Sequence, residues 1–493
     1  MSVSAAIHEA ARPFVRDALP LLAEMNLYPR PRANPFIRIG TDYFGGHPAL
    51  PGFAELAAAV KSAHPRFSDD EKLVNRDFAE PYVYSFLEAC VAGLSGAADP
   101  WDVEGDPVGR TIRELIARVT EDECRIAACR VVSHVTTVDG EAHRLGDILV
   151  VPLREEAAEH RREVLRRMQA AIPGAGEVFR DLAGAPWGPP ESVLIAESTT
   201  TAPFEDVAQL TRSIDDFLLT CRLLQGTTAQ SAYEVTGEST IVCLLPPRFV
   251  PFTGHVGVMS QTQMVRRDLV VSTKDEKAID GLHALLGQAH VERPNIVIDP
   301  LALAIHRFTM SHYARSPYDQ VIDLATALEA AVSGKTATDV LMRLRTRCAC
   351  LLTTDNDPAS AIFDDVGILY DLRSRLVHGG ETKVGKLIGM LNKLSRMPAD
   401  APFGEALCHA VDRLRDLVRR SILVRICLGT GDDALWPFTA TDSQVDSALT
   451  DDVTRECWRT TWHGVLDGIG ASGAWNRPSP AQSYLHTFSD SII

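Results

Sequence analysis

Arg373-Ser374-Arg375-Leu376-Val377-His378-Gly379-Gly380 sets an arginine, a hydroxyl and an imidazole at the end of a segment with helical spacing. Upstream of it, apolar residues recur at Ile362, Phe363, Val366, Leu369, Leu372 and Leu376, a stripe of the helical period. Asp357 is expected to cap this helix, with Pro358 at its first position. Gly379-Gly380 is expected to stop it. At about 100° per residue, Ser374 and Arg375 share a face with His378, and Arg373 lies about 140° away. The arginine is long enough to swing toward the helix end. A helix C-terminus favours a cation, and histidine is the side chain that exchanges protons near neutral pH. Groups of this kind can grip a phosphate and move a proton.

The spacing by itself says little. Arginine followed after four to six residues by histidine also occurs at Arg154/His160, Arg248/His255 and Arg307/His312. The second crosses Pro251 and Gly254 and reads as a loop. The first sits among glutamates on a solvated helix face. The third runs toward Ser316-Pro317 with no polar neighbour of its arginine to orient a phosphate.

A wider pattern surrounds the fourth match. Tyr318-Asp319-Gln320-Val321-Ile322-Asp323-Leu324 and Ala327-Leu328-Glu329-Ala330 lie on one expected helix, and Leu344-Arg345 on a second. Tyr370-Asp371-Leu372 leads into the motif, and Leu414 to Leu423 lies on a closing helix. In order and spacing this resembles the HEPN superfamily, and within it the ApeA-like HEPN proteins, over roughly residues 300 to 430. The resemblance implies a metal-independent RNA endonuclease, with Arg373 and His378 catalytic and Ser374 and Arg375 supporting. It also implies a homodimer or larger homo-oligomer acting as a toxic effector in anti-phage defence, answering a phage-derived trigger. RNA, tRNA included, would be the substrate, with no cofactor and no metal. One departure stands out: many catalytic members carry Asn, Asp or His directly after the motif arginine, where this chain has Ser374.

Composition bears on that reading in two ways. The net charge of −16 opposes binding to nucleic acid as a whole. Residues 313 to 430, however, carry 16 basic and 14 acidic side chains, which leaves −18 for the remainder. Arg343, Arg345, Arg347, Arg419 and Arg420 are therefore the candidate RNA phosphate contacts; Arg413, Arg415 and Arg425 lie in the same stretch. No run of about 18 uncharged apolar residues suggests a membrane span. Residues 1 to 9 lack the basic and apolar regions of a secretory signal, so a cytoplasmic location and no membrane partner are expected. The 10 cysteines include no CxxC pair and read as reduced core thiols.

At 493 residues the chain is expected to hold several domains in an α+β arrangement. Residues 1 to 122 read as a mixed, mainly helical region, with helices at Phe53 to Lys61, Glu80 to Leu94 and Val108 to Val119. Residues 123 to 295 read as a sheet-containing α/β module serving as sensor or scaffold. There, Arg125 to Val138 and Arg144 to Leu153 are expected to form a hairpin through Asp139-Gly140. A charged helix is expected over Glu155 to Ala171, another helix over Phe204 to Leu224, and strands over Ser192 to Ser198 and Thr240 to Leu245. Residues 296 to 430 read as an all-α, up-down bundle. Residues 431 to 493 read as a Trp-rich extension, in which Trp458 and Trp462 share one helix face docked on the bundle.

Two alternatives belong beside the nuclease. One is a non-catalytic HEPN protein that dimerises or senses RNA. The other is a nucleotidyl or phosphoryl transferase. Gly380 to Lys386 matches GxxxxGK, but Leu387 stands where Ser or Thr should bind Mg²⁺, and the segment follows a helix instead of a strand. Asp364-Asp365 suits an acidic early helix better than a Mg²⁺ site. HExxH and GxSxG are absent.

Overall fold

The computed structural model describes residues 2–24, 50–64, 79–95, 97–152, 191–200, 203–238, 265–291, 299–314, 316–334, 339–378, 383–430, 433–479, 481 and 483–484. The expected helix over Glu155 to Ala171, the expected strand over Thr240 to Leu245 and the Gly379-Gly380 stop lie outside these residues.

The architecture is α+β. Four helices, Val3–Glu24, Phe53–Lys61, Glu80–Ser95 and Asp106–Thr120, enclose a core of their own around Phe14, Phe53, Phe86 and Ile112. Phe14 stacks on Phe86 and meets Phe53 edge-on. Gly52, with φ +74°, turns the chain into the second helix where a Cβ would lie 3.3 Å from Phe14 Cα. Val3–Glu24 carries Pro13 and Pro20 inside it, both on the exposed face. A helix tolerates the missing N–H more readily where its backbone faces water.

A five-stranded antiparallel sheet follows, in the order β3-β4-β5-β1-β6: His143–Leu145, Ile148–Pro152, Ser192–Thr200, Cys124–Ser133 and Gln230–Glu238. The helix Pro203–Gln225 covers one face with Ile214, Phe217, Leu218 and Cys221. The expected hairpin is misplaced. β1 pairs with β5 and β6, not with the strand after Asp139-Gly140. His134, at φ 60°, turns the chain out of β1. The next segment, β2 (Val135–Thr137), runs parallel to β8 (Leu269–Val271). The tight turn falls at Gly146-Asp147, between β3 and β4, with Gly146 at φ +56°. β7 (Val265–Arg266) pairs with β9 (Ser483–Tyr484).

The C-terminal half is helical. Ser316 caps Pro317–Val332 through Tyr318 N–H. Val340–Leu352, Ala359–His378 (the motif helix), Val384–Leu391 and Phe403–Gly429 follow. Phe403–Gly429 is buried along nearly its whole length and touches most other helices of this half, so it is the central helix. One core runs from Leu219 to Ala471. It takes in Leu219 and Leu223 of the sheet-covering helix, and Trp436, Trp458 and Trp462 beyond the bundle. The expected docking of Trp458 and Trp462 holds, and Trp436 stacks on Trp458.

Candidate functional site

The motif helix buries Ile362, Val366, Leu369 and Leu372, with Phe363 and Leu376 packed beside them, as its stripe demands. Asp357 does more than end the preceding loop. It is fully buried and receives two hydrogen bonds of 2.9 Å from Arg413 and one from Arg420, so the expected cap is an internal counter-ion instead. Gly367 has a packing reason: a Cβ there would meet the Arg345 guanidinium at 3.1 Å, and the bare backbone lets Arg345 lie across the helix.

At the C-terminal turns the burial fades. Val377 and His378 are exposed, and Ser374 and Arg375 are half-buried. Arg375 is tied back to Asp371, one turn earlier, at 2.9 Å. Arg373 is held loosely. Its nearest carboxylate is Glu329, at 3.8 Å, and its guanidinium lies 5.7 Å from the Tyr370 ring. Arg373 Nε is buried and, like the Nε of Arg415 and of Arg419, has no hydrogen-bond acceptor among the described residues. Burial pushes the Tyr370 phenol above its ordinary pKa, and its hydrogen bond with Glu329 adds to the shift. Tyr370 therefore stays a neutral donor to Glu329. Glu329 and Tyr370 had no role assigned from sequence. Tyr370 lies three residues before Arg373, the one local signal that the two side chains meet.

The candidate phosphate contacts divide. Arg347 is 1% exposed and is spent on Asp446, Asp442 and the Val332 carbonyl. Arg419 and Arg420 are buried on the central helix. Arg420 bonds Asp416, Asp357 and the Leu352 carbonyl, and Arg419 bonds Asp416 and the carbonyls of Leu223, Ala474 and Asn476. These three face inward, and the expectation of phosphate contact fails for them. Burial alone would raise the pKa of Asp416, but Arg420, Arg419 and Arg413 hold it far below the usual carboxylate range. Arg345 donates to the Phe363 carbonyl and Asp364, and Arg343 lies 3.5 Å from Asp446; both are only partly covered. Asp365 accepts from Arg413 and from the backbone and hydroxyl of Ser395, so it is a structural group.

The competing arginine–histidine pairs separate cleanly where they are described. His312 is fully buried, and its Nδ1 contacts the Phe308 carbonyl, while Arg307 pairs with Asp323. Arg154/His160 and Arg248/His255 lie outside the described residues. No helix among the described residues is long and apolar enough to cross a membrane. No protein-family model, curated protein or solved structure matches the chain.

Proposed function

We propose that this chain is a metal-independent RNA endonuclease of the HEPN type, acting as a toxic effector in anti-phage defence. The observation that carries the reading is the contrast at one helix end. His378 is exposed, and Arg373, five residues earlier on the same helix, is 24% exposed and meets its nearest described carboxylate, Glu329, only at 3.8 Å. Such a guanidinium has capacity left for a phosphate oxygen.

The chemistry follows from RNA. The ribose 2′-hydroxyl attacks the adjacent phosphorus once its proton is taken, and the 5′-oxygen leaves once it receives one. His378 moves these protons. Arg373 stabilises the added charge on the phosphorane oxygens. Ser374 and Arg375 orient phosphate or imidazole. The products are a 2′,3′-cyclic phosphate and a 5′-hydroxyl. One histidine cannot be base and acid in the same concerted step, so two copies of the motif helix would share the cleft in a two-fold homodimer.

The test is incubation of purified protein with total RNA and with tRNA, with and without EDTA. Cleavage that survives EDTA and leaves 3′ ends resistant to ligation until the cyclic phosphate is removed supports the proposal. Activity lost in EDTA, with 3′-hydroxyl ends, favours a metal-dependent transferase or nuclease.

A further inference from the structure

A second constellation lies on other elements and stands apart from the nuclease reading. His134 sits between β1 and β2, Glu191 just before β5, and Asp268 between β7 and β8. One ligand atom from each falls within 4.8 Å of the other two, the one such group among the described residues. His134 is 7% exposed and Glu191 6%. The backbone fixes the arrangement: Leu269 N–H donates to the His134 carbonyl at 2.7 Å, and the β2–β8 ladder begins at the next pair.

The buried Nδ1 of His134 makes no hydrogen bond among the described residues and lies 3.4 Å from Asp268 Oδ1. Donors placed about 2.1 Å from a tetrahedral zinc ion are about 3.4 Å apart. One edge of such a tetrahedron is therefore already set. One imidazole with two carboxylates suits a borderline transition ion; Mg²⁺ and Ca²⁺ favour oxygen alone.

Arg266 supplies the internal competitor. It donates to Glu191 at 2.9 Å and to both oxygens of Asp268, at 2.8 and 3.1 Å, and its side chain is about one-third exposed. A guanidinium with that much access to water can swing away when a stronger cation arrives. We propose that His134, Glu191 and Asp268 form a Zn²⁺ site with water as fourth ligand, and that Arg266 occupies the carboxylates when zinc is absent. The neighbouring Arg267 clamps Asp412 of the central helix with two bonds of 2.6 Å. Zinc binding would thus act beside the contact between the sheet module and the bundle.

The experiment is calorimetric titration of ZnCl₂, and separately MgCl₂, into the full chain after chelator treatment. The variants are His134→Asn, Asp268→Asn and Arg266→Ala. Asparagine is chosen at 134 because it tolerates the left-handed backbone there. Folding of each is checked by circular dichroism. The expected result is one Zn²⁺ per chain, with Mg²⁺ far weaker, binding at least ~10-fold weaker in the two asparagine variants, and tighter binding in Arg266→Ala. No zinc uptake by the wild type, or uptake unchanged in His134→Asn and Asp268→Asn, would overturn the site. Should both asparagine variants misfold, Arg266→Ala decides: unchanged or weaker binding there also overturns it.

Discussion

Two groups of arginines lie within one bundle, and they are held in opposite ways. On the central helix, Arg413, Arg419 and Arg420 are buried and tied to Asp357, Asp365 and Asp416 through multiple hydrogen bonds. At the end of the motif helix, Arg373 is 24% exposed and has one carboxylate at 3.8 Å, on the helix that ends in the exposed His378. Burying a guanidinium costs several kcal/mol unless partners replace the lost water. Arg413 and Arg420 are matched to that cost, and Arg419, whose Nε is also unpaired among the described residues, is 2% exposed and faces inward, so this group offers a ligand nothing. The second is matched only in part, as a group that meets an incoming anion must be. How far a charged side chain is buried and bonded, more than its charge, separates scaffold from candidate site.

The largest effect is expected where burial and bonding are most complete. Arg420→Ala leaves Asp357 and Asp416 buried with part of their compensation gone, which should cost about 3–5 kcal/mol and lower the midpoint of chemical unfolding accordingly. If Arg420→Ala unfolds like the wild type, the buried network is not the support described here.

A smaller effect is expected at His463. Burial, with the Arg459 charge adding to it, lowers the pKa of His463 to about 4, while it stacks against Trp475 at 4.6 Å. The unfolded chain takes up this proton near pH 6.5, and the folded chain only near 4. The stability contributed by the neutral ring is therefore complete above pH 6.5 and is lost as the pH falls toward 4. After allowance for its partial exposure the loss is about 1–2 kcal/mol. His463→Gln should flatten the decline of melting temperature across that window; an unchanged slope would remove His463 as its source.

The smallest effect is expected at Arg345, which is paired but partly solvated. Arg345→Ala should cost about 0.5 kcal/mol of stability, measured by denaturant unfolding, and a loss near that of Arg420→Ala would erase the distinction between buried and partly solvated arginines.

How much of this was legible follows from the kind of signal. The helices of the C-terminal half announce themselves through apolar period and caps, and Ser316, Leu369 and Leu372 behave as read. The motif also stood out, but its context came from a resemblance and not from spacing. The buried arginines were misread because a sequence displays charge and hides the partner. A local hint existed: Asp416 lies three residues after Arg413 and three and four before Arg419 and Arg420, at helical spacing for ion pairs. The hairpin failed for another reason. Asp139-Gly140 is a good turn, but β1 finds its partners in β5 and β6, across long stretches of chain. Pairing over such distances leaves no mark in local composition. The Glu329–Tyr370–Arg373 grouping joins two helices and was equally out of reach.

The central claim meets its most direct test in one paired assay of RNA cleavage and thermal unfolding on Arg373→Ala, His378→Ala and the wild type, all in EDTA. The expected result is cleavage reduced by about 100-fold or more in each variant, with the melting temperature within a degree or two of the wild type because both side chains are loosely held. Wild-type cleavage in either variant, or a loss of cleavage that merely tracks a loss of fold, would contradict the assignment of the motif helix end as the catalytic site.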